Sequence, residues 1–258
     1  EGFQGDSLQK EIFKRWVKKV DADVITFQEL NGFTHYALED LGRSYGHPYV
    51  ALQKEWGYPV GITSKYPITD IEKRSDDFTL GYLYARILDY HLFVIHLNPF
   101  QYTRRHTQIN GVLAQALRIP KREKIMIMGD FNSVSPVDSV IIDVPDRISL
   151  AAGYEKNRTG KYDDYFVLNN GKFDYSVISS MYAAGFYDAF YEKNNMYIPT
   201  YSSEKYSFRN GSFGKNIRID YIWLNKYLRN KCIRFEVIKD EVTHRLSDHY
   251  PLFMELKR

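Results

Sequence analysis

Cysteine is almost absent from this chain, with one, Cys232, in 258 residues. A single thiol excludes an internal disulfide and any cysteine-rich zinc site. It lies in Lys231-Cys232-Ile233-Arg234-Phe235, an alternating strand pattern in which a core thiol is a better reading than a nucleophile. Long apolar runs are missing too, and without a run of membrane-spanning length the chain is expected to be soluble. An excess of one charge is also lacking: 35 Lys and Arg stand against 32 Asp and Glu, a net charge of +3. Such a mild basic balance permits an anionic substrate but is not the footprint of a protein that coats nucleic acid. Repeats and low-complexity linkers are absent. No signal-like segment is present and the first residue is Glu1, so an upstream stretch is expected to have been removed or left out. The compartment stays open, with the balance tilted towards an exported, periplasmic bacterial protein over a cytoplasmic one.

What the chain does have is an ordinary globular composition, 44% hydrophobic and 26% charged, with 22 Tyr and 16 Phe available for core packing or stacking. Its length allows an ample core in one large α/β domain or two small ones. Helical and strand patterns alternate along it. Asp6 and Gln9 suit a capping box, and Leu8, Ile12, Trp16 and Val20 follow at helical spacing, which predicts a helix over 7–20. Further helices are predicted over 34–41, 104–117 and 174–184. Strands are predicted over 24–27, 49–52, 60–63, 217–224, 233–238 and 250–256, with a hairpin of 80–88 and 92–96 around Asp89-Tyr90-His91. Between 141 and 175 the periodicity weakens.

The stretch Ile125-Met126-Ile127-Met128 is apolar on both faces and ends in Gly129-Asp130-Phe131-Asn132-Ser133. Residues two apart at a strand end share a face, so Asp130 and Asn132 are expected to aim at one spot; a chain turn is the competing reading. The same device recurs. Apolar strands end in Glu29, in His96 with Asn98, in Asp220, and next to Asp248 with His249. One such residue would mean little. Several carboxylates and two imidazoles on a mainly apolar sheet are costly unless they meet around a cation and an anionic ligand. Oxygen-rich ligation without cysteine points to Mg²⁺, Mn²⁺ or Ca²⁺ before zinc.

Phe27-Gln28-Glu29, Ile95-His96-Leu97, Gly129-Asp130-Phe131-Asn132-Ser133, Arg218-Ile219-Asp220-Tyr221-Ile222 and Ser247-Asp248-His249-Tyr250-Pro251, in this order, resemble the endonuclease/exonuclease/phosphatase superfamily, the deoxyribonuclease-I-like fold. Gly61 to Ile68 resembles its edge-strand segment as well. The resemblance implies an α/β (α+β) chain: a four-layer α/β/β/α sandwich of two mostly antiparallel sheets flanked by helices, one domain over 1–258. It implies Glu29 as the principal Mg²⁺ ligand with Asp248 supporting the metal shell, and Asp220 orienting His249. Asp130 would orient or deprotonate the attacking water, Asn132 would hold it or a phosphate oxygen, and His96 would donate to the phosphate or the leaving oxygen. Asn98 and Arg104 are candidate phosphate contacts, against the plainer readings of turn former and solvated helix start.

The implied activity is metal-dependent hydrolysis of a phosphodiester in nucleic acid or a nucleotide-like ester, by a monomer, through direct attack of water and without a covalent intermediate. A phospholipid headgroup or a sugar or inositol phosphate is the alternative substrate, and a catalytically silent binding module the alternative class. Two departures stand out. The family opens with a strand bearing a site asparagine, and none precedes Ser7. Basic residues are spread along the chain, not gathered in loops; Tyr154, Tyr162, Tyr165 and Phe173 among Lys156, Arg158 and Lys161 offer an aromatic and cationic stretch, with a packed surface loop as the plainer reading. The stretch 197–213 is expected to form a rim of the site or a plain connection.

Overall fold

The computed structural model describes residues 7–75, 81–158, 166–204 and 215–257. In chain order the first half runs α1 (Ser7–Val20), β1 (Val24–Phe27), α2 (His35–Ser44), β2 (Tyr49–Leu52), β3 (Gly61–Ser64), β4 (Ile68–Arg74), β5 (Tyr82–Ile87), β6 (Tyr90–His96), α3 (Tyr102–Ala116) and β7 (Lys124–Asp130). The second half runs α4 (Ser139–Ile142), α5 (Pro145–Arg158), β8 (Leu168–Asn169), β9 (Lys172–Phe173), α6 (Ser176–Ala183), β10 (Tyr187–Asp188), β11 (Asp220–Leu224), α7 (Lys226–Arg229), β12 (Cys232–Val237), α8 (Thr243–Leu246) and β13 (Leu252–Leu256).

Six strands form the main sheet in the order β10-β11-β7-β6-β5-β4. Its pairs are antiparallel except β6 and β7, which run parallel because α3 carries the chain back across the sheet between them. Side chains alternate faces along each strand. Phe93 and Ile95 of β6, Ile125 and Ile127 of β7, and Tyr221 and Trp223 of β11 pack under α3 and α6. Their neighbours Leu92, Val94, Met126, Met128, Ile222 and Leu224 face the other way, into a core shared with β12, β13 and Val24 of β1. A third cluster joins Phe13 and Val17 of α1 and Leu38 and Leu41 of α2 to Ile25 and Phe27. These three clusters separate four layers, helix, sheet, sheet and helix, as the sequence resemblance implied.

Among the described residues the second sheet layer comprises β1-β3-β2 and β12-β13; β1 pairs there with β3, and β13 with β12. A cavity of about 670 Å³ runs between β1 and β13, floored by Met126, Met128 and Ile222 of the main sheet. The residues before Ser7, where the family's opening strand would fall, lie outside the described residues.

Local expectations fare unevenly. α1 spans the predicted residues, but its buried stripe is Phe13 and Val17, while Leu8 is exposed. The proposed cap Asp6 lies outside the described residues. α2 begins one residue later than expected because Thr34 is its cap, accepting the Ala37 N–H at 3.1 Å. The hairpin turn is the two residues Leu88 and Asp89, with Tyr90 already paired to Ile87. α5 was not legible because it buries only a narrow face, with Ala151 fully inside. Tyr154 and Lys156 lie on it, and Phe173 is a core residue, so a stacking loop there loses one of its rings. Tyr162, Tyr165, Lys161 and the Arg158 side chain lie outside the described residues. Cys232 is buried in β12, and burial pushes its thiol up from the usual range, away from nucleophilic use. No helix among the described residues is long and apolar enough to cross a membrane.

Candidate active site

Strand register places the first three groups. His96 ends β6, Asp130 ends β7 and Asp220 begins β11, and the pairing sets His96 beside Asp130 and Asp130 beside Asp220. At Gly129 a Cβ would lie 2.0 Å from Ile95 O, and its φ is +135°, so only glycine lets β7 approach β6 closely enough to hold this row. Glu29 follows β1 and is brought in from the second layer, its Oε1 3.9 Å from His96 Nε2. Asp130 Oδ2 lies 3.5 Å from the same nitrogen. Glu29 and Asn132 both hold left-handed backbone, φ 55° and 47°, a conformation that costs a non-glycine residue about 1 kcal/mol and gathers at functional sites.

His249 comes from the loop before β13. Its Nδ1 is 2.8 Å from Asp220 Oδ2. The ligating atoms of Asp130, Asp220 and His249 all lie within 4.8 Å of one another. The Asp220 carboxylate also accepts from Thr200 Oγ1 at 2.6 Å, and that hydroxyl accepts in turn from the Ile219 and Asp220 N–H groups at 3.1 and 3.2 Å. Thr200 thus fixes the carboxylate that fixes the imidazole. Sequence reading missed it, since a lone threonine in a polar stretch has no periodic signal. The Tyr201 ring packs at 4.8 Å, centroid to centroid, on His249.

The remaining expected residues sort into two groups. Asp248 adjoins His249; burial would raise its carboxyl, but the His249 charge and hydrogen bonds from its own backbone and Ser247 together hold it below the usual range. Asn132 donates through Nδ2 to Leu97 O at 3.0 Å, and its N–H donates to Asp130 Oδ1 at 2.7 Å. The strand alternation that suggested a common aim stops at Asp130, so the Asn132 side chain turns to the β6 end instead. Asn98 is buried and shapes the chain there: its Oδ1 accepts from the Phe100 and Gln101 N–H groups, both at 2.8 Å, and Arg105 donates to its carbonyl. Arg104 is exposed on the first turn of α3, and no hydrogen bond or ion pair among the described residues ties it to the cluster.

A model of the endonuclease/exonuclease/phosphatase family matches residues 1–249. The chain belongs to that family. No curated protein sequence matches it. Among solved structures, this family member is similar to an AP endonuclease from Archaeoglobus fulgidus, with 18% identity, a TM-score of 0.73, and 96% of this chain and 94% of that one covered. It is also similar to the 3' phosphatase NExo from Neisseria bound to a product DNA hairpin, at 14% identity and a TM-score of 0.70, covering 98% and 95%. A third likeness is to a humanized D. rerio TDP2, at 14% identity and a TM-score of 0.62, covering 95% and 90%.

The electrostatics of this endonuclease/exonuclease/phosphatase site are uneven. Burial holds His96 neutral, its pKa lowered to about 3, with the His249 charge adding to the effect. For His249 burial also pulls down, but the Asp220 charge and hydrogen bond, with Asp130 and Asp248 behind them, raise it to about 10. Asp130 is pushed up to about 8 by burial and by Asp220. A carboxyl that cannot ionise comfortably beside two other carboxylates is short of positive charge. An all-oxygen set of Glu29, Asp130 and Asp220, backed by Asp248, is the donor chemistry of a hard divalent cation, so the residues fit one.

Proposed function

We propose that the protein is a divalent-cation-dependent phosphodiesterase that cleaves nucleic acid or a nucleotide-like ester by direct attack of water. The observation that supports this reading most is the row of Asp130, Asp220 and His249, whose ligating atoms lie within 4.8 Å at one strand edge. Phosphodiester hydrolysis needs an in-line water, a proton acceptor for it, and positive charge for the non-bridging and leaving oxygens. His249, charged and locked by Asp220, supplies a fixed cationic donor. Asp130 takes the water's proton and Asn132 helps to orient the reacting oxygen. His96, neutral and buried, donates a hydrogen bond without a charge. Glu29 would be the main holder of Mg²⁺ or Mn²⁺ with Asp248 in support, and the bound cation would supply electrostatic stabilisation of the charge that builds on phosphate.

Nucleic acid is preferred as substrate because the AP endonuclease and the DNA-bound 3' phosphatase share the fold over nearly their full length. The test is a panel of DNA, RNA, bis(p-nitrophenyl) phosphate, phospholipid vesicles and an inositol phosphate, with and without chelator and added Mg²⁺ or Mn²⁺. Metal-dependent release is expected from at least one of the first three. Release from none of the five sinks the reading, and release only from phospholipid or inositol phosphate moves the substrate to that class.

A further inference from the structure

The connection between β2 and β3 is pinned to the segment that follows Glu29. The Leu30 N–H donates to Pro59 O at 3.0 Å, and the His35 N–H donates to Glu55 Oε1 at 2.8 Å. The Asn31 amide, in the orientation that satisfies both its ends, donates to Glu29 O at 3.3 Å and to Gly57 O at 3.2 Å. The base of the loop is closed by the Gln53 N–H on Val60 O at 3.0 Å. A loop anchored this way holds its side chains in fixed relation to the acidic cluster.

Lys54 is half-buried on this loop and makes no ion pair among the described residues. Trp56 is 69% exposed and Tyr58 48%. Large rings held open to water by a fixed loop are a binding surface in waiting. A second exposed pair, Phe100 and Phe166, follows His96 by way of Asn98, joined by a 2.9 Å bond from the Phe166 N–H to Phe100 O. Exposed rings thus stand on two segments tied to the neighbourhoods of Glu29 and His96, which suits the flat bases of a nucleic-acid chain.

We infer that the β2–β3 loop reads the substrate, Trp56 and Tyr58 stacking on unpaired nucleobases and Lys54 pairing with a phosphate of the same strand. This rests on the phosphodiesterase reading above and adds that the strand is taken single or at a frayed end. Bases inside a duplex are stacked on each other and offer no free face. A lipid surface fits less well, because Glu55 lies between Lys54 and Trp56 and no run of basic side chains adjoins the rings.

The first experiment needs no catalysis. Protein in chelator is titrated with a single-stranded DNA oligonucleotide while tryptophan emission is followed; Trp223 is buried and Trp16 partly so, which leaves Trp56 as the exposed reporter. Quenching is expected, and Trp56→Phe should remove it while keeping affinity. Trp56→Ala with Tyr58→Ala should weaken Kd at least about tenfold. Lys54→Met should lower the slope of log Kd against log salt by about 0.7. In the second experiment the ratio of kcat/KM on the oligonucleotide to that on bis(p-nitrophenyl) phosphate should fall at least about tenfold in the double variant. Equal losses on both substrates, affinity untouched by the variants, blunt duplex bound as tightly as single strand, or quenching by phosphatidylserine vesicles instead of DNA would each overturn the inference. If neither substrate is cleaved with Mg²⁺ or Mn²⁺, the phosphodiesterase reading falls, while the metal-free titration still decides the role of the loop.

Discussion

At the scale of single residues the site is a chain of dependence that ends in one imidazole. Thr200 holds Asp220, Asp220 holds His249, and in the proposed mechanism His249 meets the reacting phosphate together with Asp130, Asn132 and His96. Asp130→Asn and His249→Ala are each expected to lower turnover by about two to four powers of ten with far-ultraviolet circular dichroism unchanged. Normal turnover in either purified variant would refute its role. Thr200→Val removes an acceptor from two buried N–H groups as well as a donor to Asp220. A loss of about 1–3 kcal/mol of stability is therefore expected, together with a fall in kcat that Thr200→Ser largely restores. The same residues give the protein a pH signature. His249 is raised from 6.5 to about 10, so its stabilisation is complete below pH 6.5 and is lost as pH climbs towards about 10. Asp130, raised from 3.8 to about 8, changes stability in the same sense up to its own pKa. His96, lowered to about 3, acts oppositely, and only below pH 6.5. Urea midpoints of the chelated protein should therefore fall steadily above pH 6.5, and Asp220→Asn should flatten the fall.

At the scale of elements, what positions the row of strand ends is a buried cation in the approach to β11. Arg218 donates to Asp138 through Nε at 3.1 Å and to Asp188 at 2.6 Å, with Phe190, Tyr191 and Tyr221 against its guanidinium. It ties the loop after β7 and the end of β10 to the start of β11, two residues before Asp220. Arg218→Met would leave two buried carboxylates without their cation, held by Tyr191 Oη on Asp138 and the Phe190 N–H on Asp188, and is expected to cost about 3–5 kcal/mol, read from chemical denaturation. Legibility differs between elements for physical reasons. The strands that close at His96 and Asp130, and β1 just before Glu29, were readable because an apolar run that stops at a charge marks both the strand and its end, whereas β11 starts at Asp220, three residues inside the strand expected over 217–224. α5 was not, because a helix that buries little of itself has little period to show. The bond from Asn132 to Leu97 O was not legible for a related reason. A two-residue alternation extends only as far as the ladder does, and a left-handed φ just beyond the ladder redirects the side chain.

At the scale of the whole molecule, the order of motifs along the chain was legible, while the gathering of Glu29 from one sheet layer with strand ends of the other was expected only through the family resemblance those motifs carry. That contact depends on how the layers stack, which no local pattern encodes, and Lys54 and Thr200 were invisible for the same reason. The stacking also carries an energetic consequence. Carboxylates brought together from two layers repel until a cation joins them, so a divalent metal should bind the folded chain far better than the unfolded one. Mg²⁺ or Mn²⁺ at about a hundred times its Kd should then add about 2.7 kcal/mol, visible as a rise in melting temperature. The rise should be largest above pH 8, where Asp130 ionises, and small in Glu29→Gln.

Gly129 leaves the seam of β6 and β7 intolerant of even one methyl group. A Cβ there would meet Ile95 O at 2.0 Å, so Gly129→Ala should wedge the two strands apart directly beneath the carboxylates. Its urea midpoint and its turnover should drop together, whereas an alanine at exposed Gly153, which meets nothing within 4 Å, should leave both unchanged.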